Sequence, residues 1–131
     1  MRPEDSLRRS RGAQKIGEVL GQTPEQVERS LGDVAPQLAS YVIDTIYGEI
    51  YQSSTLDSRT RQIVTVAALA TAGTAAPQLR THIGGALRCG VTREELIEIM
   101  MQLVPYVGVA AAINGVAACR EVFAAADKPS T

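Results

Sequence analysis

From Ile99 to Cys119 the chain carries no charged residue. A neutral run of that length is either a membrane span or the buried centre of a helical protein. Gln102, Pro105, Gly108, Asn114 and Gly115 interrupt it, and much of the rest is alanine, which gains little from lipid. The run therefore reads as two apolar helices meeting at a break near Pro105 and Gly108, outside any membrane. So much neutral surface in a chain of 131 residues also points to burial against another subunit.

Hydrophobic residues make up 45% of the chain, but aromatics only 4%, with no Trp. A core built on Ala, Val, Ile and Leu must pack closely, which suits helices. Helix signals follow one another. Thr23, Pro24 and Gln26 supply a cap, a first-turn proline and a capping-box partner for a helix ending at Gly32. Leu38, Val42, Ile46 and Ile50 recur every four residues and predict a helix over 36–52, with Tyr41 and Ile43 alongside. A helix from Asp57 to about Thr71 carries Ile63, Val64, Ala67, Ala68 and Ala70, and Gly73 ends it. Pro77 opens the next, with Leu79, His82, Ile83, Ala86 and Leu87 on one face and Gly90 as its stop. Thr92 and Glu95 form a capping box for a helix carrying Leu96, Ile97, Met100, Leu103 and Val104. A last alanine-rich helix covers 109–125. No stretch alternates as a strand would. The expectation is an all-α fold of about six helices in one domain over 1–131, with 1–12 and 127–131 loose.

The formal net charge is −1, so no basic face announces a nucleic-acid partner. Arg2, Arg8, Arg9 and Arg11 are interleaved with Glu4 and Asp5, and no apolar run follows them as in a signal peptide. Cys89 and Cys119 lie far apart, no Cys-x-x-Cys occurs, and one histidine cannot complete a zinc set. Reduced thiols in a cytoplasmic protein are the simplest expectation. The histidine, His82, is the one side chain that ordinarily titrates near neutrality, and it falls on an apolar helix face. Such a histidine is either a hydrogen-bonded core residue or a proton-transfer group.

Three segments in order resemble the carboxymuconolactone decarboxylase family, a branch of the alkylhydroperoxidase-D-like superfamily. Tyr47-Gly48-Glu49-Ile50-Tyr51, with Leu56-Asp57-Ser58-Arg59-Thr60-Arg61, is similar to the family's aromatic-Gly-Glu-aliphatic-Trp and Leu-Asp-x-x-Thr-Arg segments. The stretch from His82 through Ala86-Leu87, Gly90 and Thr92 to Glu94-Glu95 is similar to its His-x-x-x-Ala-Leu-x-x-Gly-x-Thr-x-Glu-Glu pattern. Tyr106-Val107-Gly108-Val109-Ala110-Ala111 is similar to its Tyr-x-Gly-x-Pro-Ala. The resemblance implies an alkylhydroperoxidase-D-like helical fold, assembled as a homotrimer or homohexamer with sites near subunit contacts.

It also implies one of two chemistries. One is peroxide or disulfide chemistry through a Cys-x-x-Cys pair four residues before the histidine. The corresponding positions here are Ala75 and Gln78, so thiol peroxidase activity is disfavoured. The other is cofactor-free, metal-free decarboxylation of a small carboxylated lactone. Loss of CO2 leaves an enolate, and the protein must hold the carboxylate, stabilise the oxyanion and deliver a proton to carbon. The resemblance implies His82 as the acid, with Glu49 orienting its ring. Arg61 would grip the substrate carboxylate, and Tyr106 and Tyr51 would line the pocket. The chain departs from the family at Tyr51 (usually Trp), Ala110 (usually Pro) and Gln62 (often Glu). Two other readings stay open: a proton-transfer isomerase or lyase of secondary metabolism, and a non-catalytic oligomeric module that binds a small ligand or a protein.

Overall fold

The computed structural model describes residues 2–129, and among them there is no strand. They form seven α-helices: α1 (Pro3–Leu20), α2 (Pro24–Leu31), α3 (Pro36–Ser40), α4 (Ser58–Ala72), α5 (Ala76–Arg88), α6 (Arg93–Val107) and α7 (Val109–Asp127). A π-helical segment, Tyr41–Tyr47, continues α3, and a 3₁₀ turn follows at Ile50–Gln52. The chain divides into two compact units, one ending at Ser58 and one beginning at Arg59.

In the first unit the main surprise is α1. Residues 3–12, expected to be loose, are the opening turns of a helix. Pro3 sits in its first turn with Glu4 and Asp5, where the helix dipole favours acids. Gly21 closes it in the left-handed region (φ 65°), donating its N–H to the Gly17 carbonyl. Ile16 and Val19 are fully buried, and α1 packs along the π segment. Gly12 permits this approach, because a Cβ there would run into the carbonyl oxygen of Ile43. The arginines beside it are paired: Arg9 reaches Glu28 at 2.8 Å and Asp44 at 2.7 Å. The helix α2 has both halves of the expected capping box, Thr23 with Gln26.

The predicted 36–52 helix is corrected in two ways. It is broken into α3, the π segment and the 3₁₀ turn, and its buried line is Ala39, Ile43 and Tyr47. Leu38 and Ile50 of the predicted stripe are half exposed. Both lines have a spacing of four, so periodicity alone could not choose between them.

In the second unit α4 ends at Gly73 (φ 73°) and α5 at Cys89 with Gly90 (φ 91°) beyond it, as expected. The Thr92–Glu95 capping box is complete, and Glu95 is also paired with Arg59. Pro105 is accommodated inside α6, and Gly108 (φ 90°) makes the break before α7. Ile83, Leu96, Met100, Val66 and Cys119 form the centre of the core. On α4 the buried line is Gln62, Val66 and Ala70, while the predicted Val64 is half exposed. A polar residue completes the core face of this helix. Asp127, expected in the loose tail, is the last residue of α7 and pairs with Arg93 of α6 at 2.7 Å, and Lys128 and Pro129 follow it. The final two residues of the expected loose tail lie outside the described range.

Among the described residues one helix, α7, is long and apolar enough by length and composition to cross a membrane. Its Gly115 faces Met100 of α6 so closely that a Cβ would strike the thioether. This is how two helices of one helical hairpin pack face to face.

Candidate active site

Histidine 82 sits on α5 two turns before its C-terminus, half-buried rather than sealed in packing. Its neighbours Leu79, Ile83 and Ala86 hold that face of α5 in the core. Across from it, on α4, the fully buried Gln62 places Oε1 3.0 Å from His82 Nδ1. A carbonyl oxygen can only accept, so Nδ1 carries the proton and donates it. The neutral ring therefore presents an unprotonated Nε2. Burial pushes the His82 pKa below its ordinary 6.5.

Gln62 is what sequence reasoning missed as a site residue. Its signal was present: it follows Arg61 directly and is one of the three positions where the chain departs from the pattern it resembles. A glutamine fixes the ring as a glutamate would but brings no negative charge to stabilise imidazolium. The same Nδ1–H···O bond serves both protonation states, so the ring can load and unload a proton at Nε2 without turning.

The other sequence-predicted residues are distributed between the units. Arg61 is half-buried in the first turns of α4, and Tyr106 is 78% exposed near the end of α6. Glu49 and Tyr51 belong to the first unit. Tyr51 packs against Tyr47 with ring centroids 4.6 Å apart and the ring planes tilted by 47°. Glu49 follows the π segment, and its Oε1 accepts from Arg8 Nη1 at 2.5 Å. Within the second unit the partner of His82 Nδ1 is Gln62.

Three cavities of the second unit run elsewhere on its surface. One, about 270 Å³, is lined by Ile63, Ala67, Glu95, Glu98, Ile99, Gln102 and Leu103. His82 lines none of the three. In the first unit Glu49 lines a polar cavity of about 300 Å³ with Arg8 and Arg11.

The thiols are far from a peroxidatic arrangement. Ala75 and Gln78 occupy the start of α5, while Cys89 caps its opposite end. Cys119 is fully buried, and burial pushes its thiol up to about 11. No group of three or more His, Cys, Asp or Glu converges among the described residues as a metal would require.

The fold and site define a small all-α protein whose lone histidine is held by a buried amide and whose helix start lacks the redox cysteines. Residues 36–121 match the Carboxymuconolactone decarboxylase family, and the chain belongs to that family. It is 30% identical over 122 residues to 4-carboxymuconolactone decarboxylase of Acinetobacter baylyi, covering 91% of this chain and 89% of that one. It is 27% identical over 101 residues to an uncharacterized 15.0 kDa protein from the nqo9-nqo10 intergenic region of Paracoccus denitrificans, covering 76% and 75%.

Proposed function

We propose that the protein is a cofactor-independent carboxy-lyase acting on a small carboxylated lactone or related ring acid, with His82 as the proton donor. The observation that carries this reading is the His82–Gln62 pair. It fixes one ring nitrogen and leaves the other for chemistry, on a half-buried side chain. In the reaction the bond from ring carbon to carboxylate breaks and CO2 leaves. The electron pair passes to the carbon and its conjugated carbonyl as an enolate. Protonated His82 then gives its Nε2 proton to carbon, returns to the neutral form, and is recharged from water.

Arg61 is assigned to the substrate carboxylate, and Tyr106 to the developing oxyanion. Tyr51 is assigned to the pocket wall, and Glu49 to the proton-handling role of orienting the catalytic ring and keeping it protonated. The 4-carboxymuconolactone decarboxylase of Acinetobacter baylyi supports the substrate class. Self-assembly into a homo-oligomer, a trimer or hexamer, belongs to the same proposal. Val64, Met101, Tyr106, Val109 and Ile113 of the second unit are each more than half exposed, and a partner copy would cover them. The cytoplasm is the proposed location.

A proton NMR time course with 4-carboxymuconolactone generated in situ tests the reading. Wild type should release CO2 and the enol-lactone, and folded His82→Ala should not. Equal turnover by both would remove His82 from the mechanism. Silence from both, with folded protein confirmed, would favour a ligand-binding module.

A further inference from the structure

The N-terminal helix makes one contact that neither the family match nor the reaction accounts for. Arg8 of α1, outside the matched residues 36–121, reaches Glu49 with Nη1 on Oε1 at 2.5 Å. Its other terminal nitrogen, Nη2, is braced by Asp5 at 3.1 Å, one turn earlier. The two backbones are locked together beneath this pair. A Cβ on Gly48, the residue before Glu49, would strike the carbonyl oxygen of Arg8, and one on Gly12 would strike that of Ile43. Both glycines are buried. The guanidinium and the carboxylate therefore spring from chain segments in direct contact.

As a stabilising device the pair makes little sense. Both side chains are more than a third exposed, and ion pairs of that kind contribute little to folding. Arg8 Nε is buried without a hydrogen-bond partner, a cost the fold carries to keep the guanidinium where it is. What the arrangement does achieve is asymmetry. Arg8 occupies Oε1, and among the described residues Oε2 makes no hydrogen bond or ion pair. The carboxylate lines a polar cavity.

We propose that Arg8 is the positioning residue for Glu49, holding Oε1 so that Oε2 is the oxygen that handles the proton. The inference rests on the proton-handling role proposed for Glu49. Helix α1 is on this view part of the active-site apparatus, fastened through Gly12 and Gly48.

The test is a double-mutant cycle on the full chain, Arg8→Ala, Glu49→Gln and both together, with Arg8→Lys as the conservative variant. Decarboxylation should lose about 10- to 100-fold in kcat with Arg8→Ala, and KM should change little. Glu49→Gln should lose a similar amount, and the double variant should be no slower than Glu49→Gln. Arg8→Lys, which keeps the charge, should recover part of the rate. A second readout needs no turnover: the carboxylate ¹³C resonance of Glu49, assigned by its loss in Glu49→Gln, should move in Arg8→Ala and partly return in Arg8→Lys. Independent, multiplicative losses in the double variant would overturn the proposal, as would unchanged kcat in Arg8→Ala. If wild type does not decarboxylate the lactone, the function proposed above fails and the resonance decides the positioning. A resonance that stays put in Arg8→Ala would then overturn the Arg8 assignment as well.

Discussion

Because the chain contains a single histidine, its titration can be followed by NMR without assignment by mutagenesis. His82 should titrate below 6.5, since burial disfavours imidazolium and Gln62 offers no charge in return. Gln62→Glu should reverse that. A carboxylate in place of the amide, with charge centres about 4 Å apart and an effective dielectric near 20, gives about 4 kcal/mol of attraction. At about 1.4 kcal/mol per pKa unit this is an upward shift of about 3 units. Gln62 is fully buried, so the new carboxylate would itself be desolvated, and part of that shift is lost. The expected rise is about 1 to 3 units. Stability follows with opposite signs. In wild type the unfolded chain takes up a proton that the folded one does not, over the window from 6.5 down to the lowered pKa. This contribution is complete above pH 6.5 and is lost as pH falls through the window. In Gln62→Glu the loss of stability at low pH should shrink as the folded pKa rises toward 6.5. Where the folded pKa passes 6.5 the sign reverses, the contribution being complete below 6.5 and lost as pH rises through the folded pKa. Activity adds a third readout. If His82 must be protonated to act, wild-type kcat/KM rises as pH falls toward the His82 pKa, and the variant's plateau extends to neutral pH. A wild-type pKa at or above 6.5 would refute the reasoning, as would a shift in Gln62→Glu of less than about half a unit.

Glycine substitutions separate close approach from helix propensity. Gly12→Ala forces a Cβ onto the Ile43 carbonyl and should cost about 1–3 kcal/mol in urea denaturation, whereas Gly84→Ala, with open space at the Cβ, should gain up to about 1 kcal/mol. Equal effects would show that α1 does not pack as described. Cys119, buried and pushed up to about 11, should resist a disulfide reagent at pH 8 until the protein is unfolded, and hydrogen peroxide should not be turned over; rapid peroxide reduction would refute the thiol argument. The Arg59 hydrogen bond and the Thr92 backbone N–H hold the Glu95 carboxyl down to about 2. The stability this supplies is complete above pH 4.5 and should be lost as pH falls toward 2, and Arg59→Gln should flatten that part of the acid-unfolding profile.

Local chemistry was readable wherever a backbone group had to be satisfied by a nearby side chain. The capping boxes at Thr23–Gln26 and Thr92–Glu95 and the positive-φ glycines at 73, 90 and 108 stand where their residue types predict. Helix α1 escaped notice because its apolar positions are sparse and its arginines resemble a solvated tail. Their acid partners, Glu28, Asp44 and Glu49, lie 19 to 41 residues away, and no local pattern reports a distant ion pair. The site was obscured for a related reason. Apolar periodicity on α4 favours Ile63, Val64, Ala67, Ala68 and Ala70. Of these Ala70 is buried and Ile63 packs against the core, but the buried line also contains Val66 and Gln62, and Gln62 is the residue that holds the histidine. A buried side chain with an unmet donor needs an acceptor, and here that acceptor sits in the buried i, i+4 line of the neighbouring helix. On α4 the line through Val66 and Ala70 contains one polar member, Gln62. The partner of a lone core-facing histidine is therefore to be sought among polar residues that interrupt an otherwise apolar line on a neighbouring helix, the positions that an apolar-pattern reading passes over.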